Sequence, residues 1–284
     1  MPGRKQPPEG YLTSGQAAKI LKCSVGMVYN YERSGQLHKE TPTGRKQGFF
    51  KRKEVEALAD GLASFFESPV ENTQRESADD LVFSQATPDD MEGVYKVAAS
   101  LFGETTSAEA RKPLVALCPE GNYVVKRHGK VVAYIHIQPL KHDRLMAFMR
   151  GEIRGKHITS NDLDCFETGK SVECLIKSIG AVKTIGSTEE ICRANQLRFL
   201  FKLIRGTALE MAKLGSKGVD ITTIYATSET VTGIAIGFSA KMEPFGKPLG
   251  IGRFRFVLDV ATSSLPLLRP YKAALAEWKR QHTQ

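Results

Sequence analysis

The chain has 284 residues, room for one large domain or two ordinary ones, and its 41% hydrophobic and 25% charged residues exclude collagen, coiled coil and wholesale disorder. No apolar run approaches the ~20 residues that cross a bilayer, the polar, proline-rich start is not a secretory signal, and five scattered cysteines make neither a disulfide framework nor a zinc pair. A cytoplasmic protein with reduced thiols and no membrane or metal partner is the expectation. The net charge of +9 sits at the two ends: residues 1–60 and 247–284 each carry a surplus of five basic side chains, and the middle is near neutral. Basic segments suit a polyanion such as nucleic acid, though a solvated surface accounts for them equally well.

The first sixty residues have sharp helix punctuation. Thr13 or Ser14 can cap a helix, and Gln16 stands three residues after Thr13, as in a capping box. Ala17, Ala18, Ile20 and Leu21 supply its apolar face. Ser24 can cap a second helix, with Val25, Val28 and Tyr31 at helical spacing and Gly35 as its stop. Two short helices so close together predict a helix-turn-helix. A polar hairpin from Thr41 to Gly48 then leads to Phe49-Phe50. A third helix is predicted from about Lys53, with Val55, Leu58 and Leu62 on one face. Past Phe66 the chain turns polar and acidic, which marks a linker.

The run Leu12-Thr13, Ala17-Ala18, Cys23-Ser24, Tyr31-Glu32-Arg33-Ser34-Gly35-Gln36-Leu37 and Phe50 before Lys51-Arg52 resembles the winged-helix domain of the MerR and excisionase-type regulators. The likeness spans Tyr11 to Ala59. It implies that the second helix enters the major groove of double-stranded DNA. Ser24 would then cap toward a phosphate, and Asn30 would pair with an adenine edge. Met27 and Arg33 would share that exposed face, and Tyr29 would pack or touch phosphate. Lys39, Arg45, Lys46, Lys51 and Arg52 would be wing contacts. Members usually carry arginine where this chain has Gly26 and Tyr29, which puts the sequence preference in doubt. A helix-turn-helix used only for protein contact is the alternative.

The rest of the chain reads as mixed α and β. Leu81 to Ala86 is a predicted strand, and the segment from Pro88 to Gly103 a helix. Two β-branched runs around His128-Gly129 form the clearest hairpin. Ser171 to Val182 is a strand, Gln196 to Leu214 a helix, and Val219 to Thr227 a buried strand. Ser228 can cap a short helix to Ile236, and closing strands follow from Phe238 onward. A short amphipathic helix ends the chain, with Leu275 and Trp278 against Lys279-Arg280; its simplest role is to pack back on the second domain.

That element order, with Ile224 to Phe238 as the local motif, resembles the GNAT N-acetyltransferase fold from about Leu81 to Val260. Lys141 to Lys170 departs from it and reads as an insertion, with a short helix near Leu145 to Ile153 and Leu163 and Phe166 tucked down. The resemblance implies acetyl-CoA as cofactor, cradled by Gln or Arg, two residues, Gly, one residue, then Gly or Ala. The best match is Arg193 to Arg198, where Gln196 and Arg198 replace the glycines; Arg193, Gln196 and Arg198 are the candidate cofactor residues. The family's tyrosine acid would fall at Gly233, where there is no hydroxyl. Glu173 could be a base or an edge charge, and lone His136 fits a structural histidine better.

The expected fold class is α+β, with a winged helix-turn-helix at 1–62, a linker at 63–80, a GNAT-like domain with an insertion at 81–262 and a basic tail at 263–284. The expected function is DNA binding in transcriptional regulation, as a homodimer or monomer. The second domain senses a ligand or assembles, has no assigned catalytic residue and takes acetyl-CoA or a similar acyl-CoA at most as a ligand. The competing reading is an active acetyl-CoA-dependent N-acetyltransferase with a DNA-binding arm.

Overall fold

A computed structural model describes residues 6–21, 25–33, 37–41, 47–67, 81–183, 185–250 and 252–282. The chain divides into two compact units: Met1–Ser68 with Ser228–Glu243, and Pro69–Thr227 with Pro244–Gln284. The segment Ser228–Glu243, which the sequence reading counts with the larger domain, thus clusters with the small one.

In the small unit, strand β1 (Tyr11–Leu12) leads to helix α1 (Ser14–Ile20) and helix α2 (Val25–Arg33). Thr13 and Gln16 form the full capping box at the start of α1, a device worth about 1 kcal/mol of helix stability. Ala17 and Ala18 are buried, so α1 can approach α2, which buries Val28 and Tyr31. Strands β2 (Lys39–Glu40) and β3 (Phe49–Lys51) pair antiparallel, and β3 also pairs with β1, giving the order β1-β3-β2. Phe49 and Phe50 are both buried, which fixes this small sheet to the helices. Helix α3 runs Arg52–Glu67, so residues 63–67, read as linker, belong to the helix; Val55 and Phe66 anchor it. Residues 68–80 lie outside the described ones.

The larger unit is built on a mixed sheet. Its strands are β4 (Leu81–Gln85), β5 (Asn122–Arg127), β6 (Lys130–Pro139), β7 (Ser171–Ala181), β8 (Asp220–Ser228), β9 (Glu243–Pro244) and β10 (Phe254–Asp259). Among the described residues they lie in the order β4-β5-β6-β7-β8-β10-β9. From β4 to β7 the pairs are antiparallel, and β7 with β8 is parallel. His128 and Gly129 both take positive φ in the β5–β6 turn, as a two-residue type I′ turn requires.

The pleat divides the core. Val124 and Tyr134 sit opposite each other and pack against helices α4 (Met91–Phe102) and α5 (Ala108–Leu117). Tyr123 and Ile135, one residue along, point to the other face. Helix α7 (Glu189–Ser216) lies along the sheet from β4 to β7, and helix α9 (Arg269–His282) packs on α7. Tyr271 of α9 is fully buried; its hydroxyl accepts from Ile221 N at 2.5 Å and donates to Val219 O at 3.0 Å. Gly218 has φ +77, and a Cβ there would lie 2.3 Å from Trp278 Cε2, so the indole is seated against backbone that only glycine leaves open.

The insertion carries helix α6 (His142–Arg150). Leu163 bridges to Leu140, and both join Leu145, Phe148 and Leu175 in one buried cluster, with Phe166 at its edge. Helix α6 starts and ends three residues earlier than the expected Leu145 to Ile153, and other boundaries also differ from the sequence reading. Helix α7 begins seven residues before Gln196, at Glu189, because Thr188 caps it by accepting from Ile191 N. Helix α8 (Val231–Ser239) is capped by Thr230 rather than Ser228, whose hydroxyl instead bonds Thr230. Phe238 is therefore helical, and the predicted strand after it shrinks to Glu243–Pro244.

Candidate functional site

In the small unit, Ser24, Arg45 and Lys46 lie outside the described residues. Met27 and Asn30 are carried on α2, and their side chains lie outside what is described. Tyr29 is 38% exposed and its hydroxyl reaches Ser14 Oγ at 3.4 Å, with Lys39 Nζ 5.0 Å above the ring. Arg33 is exposed at the end of α2. The described candidate wing cations meet carboxylates of the same unit: Lys39 with Glu32 at 3.9 Å, Lys51 with Glu40 at 2.5 Å, Arg52 with Glu56 at 3.1 Å. Glu40 also accepts from Tyr11, and these contacts hold its carboxyl below and the Lys51 ammonium above their ordinary values. Such exposed pairs are weak, so the cations remain exchangeable toward a phosphate, at a reduced net charge.

In the larger unit, chemistry concentrates where β7 and β8 diverge. Their parallel pairing runs from Ser171/Asp220 to Ile176/Ala226; beyond it β7 continues along β6 to Ala181. Three residues before the divergence, Glu173 projects on the same face as Leu175 and Tyr225. Its carboxylate is held from two directions. Tyr225 Oη donates to Oε1 at 3.3 Å, and His142 Nδ1 meets Oε2 at 2.5 Å. His142 comes from the first turn of α6, so the insertion supplies one arm of the cluster. The hydrogen bond and charge of Glu173 raise the His142 pKa, which favours imidazolium. Burial, with Glu173 adding to it, pushes the Tyr225 phenol up. Tyr225 packs edge-on against Phe245, with ring centroids 5.8 Å apart. Neither the Tyr225–Glu173 contact nor the His142 arm was readable from sequence, because 31 residues separate His142 from Glu173.

The β7–α7 connection lies beyond this divergence. Arg193, Gln196 and Arg198 fall inside α7 rather than in the loop before it. Gln196 is buried and its amide donates to Ala181 O at 2.9 Å, which ties the helix to β7. Arg198 is exposed, and the side chain of Arg193 lies outside what is described. In the loop, Asn195 Nδ2 donates to Ile185 O at 2.8 Å and Cys192 Sγ to Gly186 O at 3.5 Å. Across a trans peptide the N–H opposes the C=O. The amides of Gly186 and Ser187 therefore point away from those α7 side chains. Glu189 and Glu190 occupy the first helical positions.

His136 is 3% exposed. Burial, with Arg111 and Lys177 nearby, holds its pKa well below the ordinary value, so it is neutral. Asn122 Nδ2 donates to Cys118 O at 2.5 Å, so Asn122 Oδ1 faces His136 Nδ1 at 2.6 Å and the imidazole proton sits on Nδ1. Among the described residues no cluster of His, Cys, Asp and Glu has the makings of a metal site, and no helix is long and apolar enough to cross a membrane.

No family model matches the chain, and no curated protein does. Solved structures similar to it include the GphF GNAT-like decarboxylase in complex with isobutyryl-CoA (10% identity, 63% of this chain and 98% of that one, TM-score 0.43). They also include yncA, a putative acetyltransferase from Salmonella typhimurium with acetyl-CoA (13%, 66% and 98%, 0.40). A third is Ard1 from Thermoplasma volcanium (12%, 63% and 97%, 0.38).

Proposed function

We propose that the larger unit is a GNAT-like acyltransferase domain that brings an acyl-CoA and an amine together at Glu173. One observation carries this reading: a carboxylate gripped by Tyr225 and His142 lies beside the place where two parallel strands diverge. The diverging strands and the outward amides of Gly186 and Ser187 fit an acyl-CoA, those amides taking its pyrophosphate. When bound, the thioester would supply an activated carbonyl. Glu173 receives the proton of the acceptor's ammonium, which frees the nitrogen lone pair for attack; the carbon–sulfur bond would then break, and the departing thiolate would take the second proton the nitrogen sheds. Tyr225 fixes one oxygen of Glu173 and His142 the other, so the carboxylate does not rotate away. This differs from a domain without chemistry, the expectation drawn from the missing glycines and the missing tyrosine at Gly233.

The test is release of free thiol from acetyl-CoA with spermidine or a short lysine-bearing peptide as acceptor. Glu173→Gln should lower kcat/KM by about 100-fold or more. Absence of release with either acceptor would remove the reading.

A second reading is favoured by the small unit. Two helices, the β1-β3-β2 sheet and a strand pair flanking 41–48 are the parts of a winged helix-turn-helix. It would add a double-stranded DNA-binding arm, with Tyr29, Asn30, Arg33 and the wing cations as contacts, and a regulatory role for a monomer or homodimer. Binding of duplex oligonucleotides at low ionic strength tests it.

A further inference from the structure

Under α5 and the insertion, the sheet carries a row of polar side chains that the transfer reading does not use. Tyr134, His136 and Gln138 follow at two-residue spacing on β6, hence on one face. Arg111 of α5 lies over the Tyr134 ring, 5.8 Å from its centre. On β7, Ile176 pairs with Ile137 and Ser178 with His136, so Lys177 is the extra residue of a bulge. The bulge re-aims Lys177 toward the insertion, where a Cβ on Gly155 would lie 3.7 Å from its Cε.

Two features of this row are costly as they stand. Gln138 is 1% exposed, and neither its Nε2 nor its Oε1 has a partner. A buried amide in that state has lost its hydration with nothing in return. Arg111 is 4% exposed and donates to neutral oxygens, Thr106 O and Thr105 Oγ1, each at 2.9 Å. Among the described residues neither Arg111 nor Lys177 forms an ion pair with a carboxylate. Asp162, the acid that acts on Lys177, is engaged by Arg144 at 2.8 Å and by Thr159. His136 adds no charge, being neutral, and keeps Nε2 as an acceptor.

The buried Arg111 and the half-buried Lys177 carry positive charge without a counter-ion, which calls for an anion. An amide with donor and acceptor both idle calls for a ligand that offers both. We propose that Arg111, His136, Gln138 and Lys177 form a binding site for a small carboxylate that carries a hydroxyl or amino group beside the carboxylate. The carboxylate accepts from Lys177 and Gln138 Nε2, and the neighbouring hydroxyl or ammonium donates to Gln138 Oε1. A phosphate dianion suits the row less well: its one P–O–H can meet Gln138 Oε1, but its remaining charged oxygens would face Leu140 and Leu175. Leu140, one residue past β6, follows the row and Leu175 stands opposite Gln138, so the rest of the ligand is short and apolar. The same isolation brings the Lys177 ammonium down to about 8, and a bound anion would raise it. The site does not depend on transfer at Glu173.

The test is thermal unfolding of the whole chain with lactate, alanine, propionate or inorganic phosphate at millimolar concentration. Lactate or alanine should raise the melting temperature saturably, propionate less, and phosphate not at all. Gln138→Leu should abolish that rise, while its ligand-free melting temperature equals or exceeds the parent's, since leucine removes the idle amide. Lys177→Met should also lose the response. The proposal fails if no probe shifts the transition, if phosphate alone does, if Gln138→Leu responds like the parent, or if Gln138→Leu does not fold.

Discussion

Replacing Tyr271 with phenylalanine isolates one hydroxyl in the core of the larger unit. The Tyr271 ring is fully buried, and its oxygen bridges Ile221 N–H and Val219 C=O at the entry to β8. Phenylalanine keeps the ring and leaves both backbone groups without that partner. Each buried orphan costs about 1–3 kcal/mol. Part of this is offset, because the hydroxyl's own burial penalty disappears with it. The expected loss is about 2–3 kcal/mol, which at ~2–4 °C per kcal/mol lowers Tm by roughly 5–10 °C. Urea unfolding followed by Trp278 fluorescence measures it. The chain has one tryptophan, and it sits on the same helix, stacked on His282 at 4.3 Å. A loss below about 0.5 kcal/mol, the range of neutral surface changes, would show that the hydroxyl does not bridge these two groups.

Lys177 gives a pH prediction. Its folded value of about 8 lies below the ordinary 10.5, so between those limits the unfolded chain holds a proton that the folded chain has released. Stability from this residue therefore rises with pH across that window, by roughly 1–3 kcal/mol. Burial raises the Tyr134 phenol and brings the Cys118 thiol up to about 12; both work the other way at alkaline pH, so the comparison is with Lys177→Met. The parent should gain on that variant between neutral pH and about pH 10, and a constant gap would refute the buried ammonium. In the small unit, Arg45→Ala with Lys46→Ala should weaken duplex binding for every sequence and flatten its salt dependence. Unchanged affinity would remove the wing from the interface.

Local signals were legible and long-range ones were not. Thr13 with Gln16 announced the first capping box, and β-branched runs around His128-Gly129 announced the hairpin, because each rests on neighbours in sequence. The start of α7 carried its own signal, a Thr188 cap followed by two acids, whereas the apolar spacing alone marks the helix only from Gln196. Phe238 looked strand-like, yet it lies in α8; Ala240 N–H still bonds Ile236 O, and the helix stops just beyond, with Lys241 at φ +54 and Met242 N–H closing back on Gly237 O. The Glu173 cluster needs an insertion helix to return to a strand, and the bulge at Lys177 needs the β6–β7 register. Neither register nor return is written in local periodicity.

The transfer reading stands most directly on whether the larger unit holds an acyl thioester. Calorimetric titration of acetyl-CoA into the full chain should give saturable heat at one site per chain, and Glu173→Gln should bind it with unchanged affinity. No heat at any temperature tried, together with an unshifted melting transition in excess acetyl-CoA, would contradict the assignment.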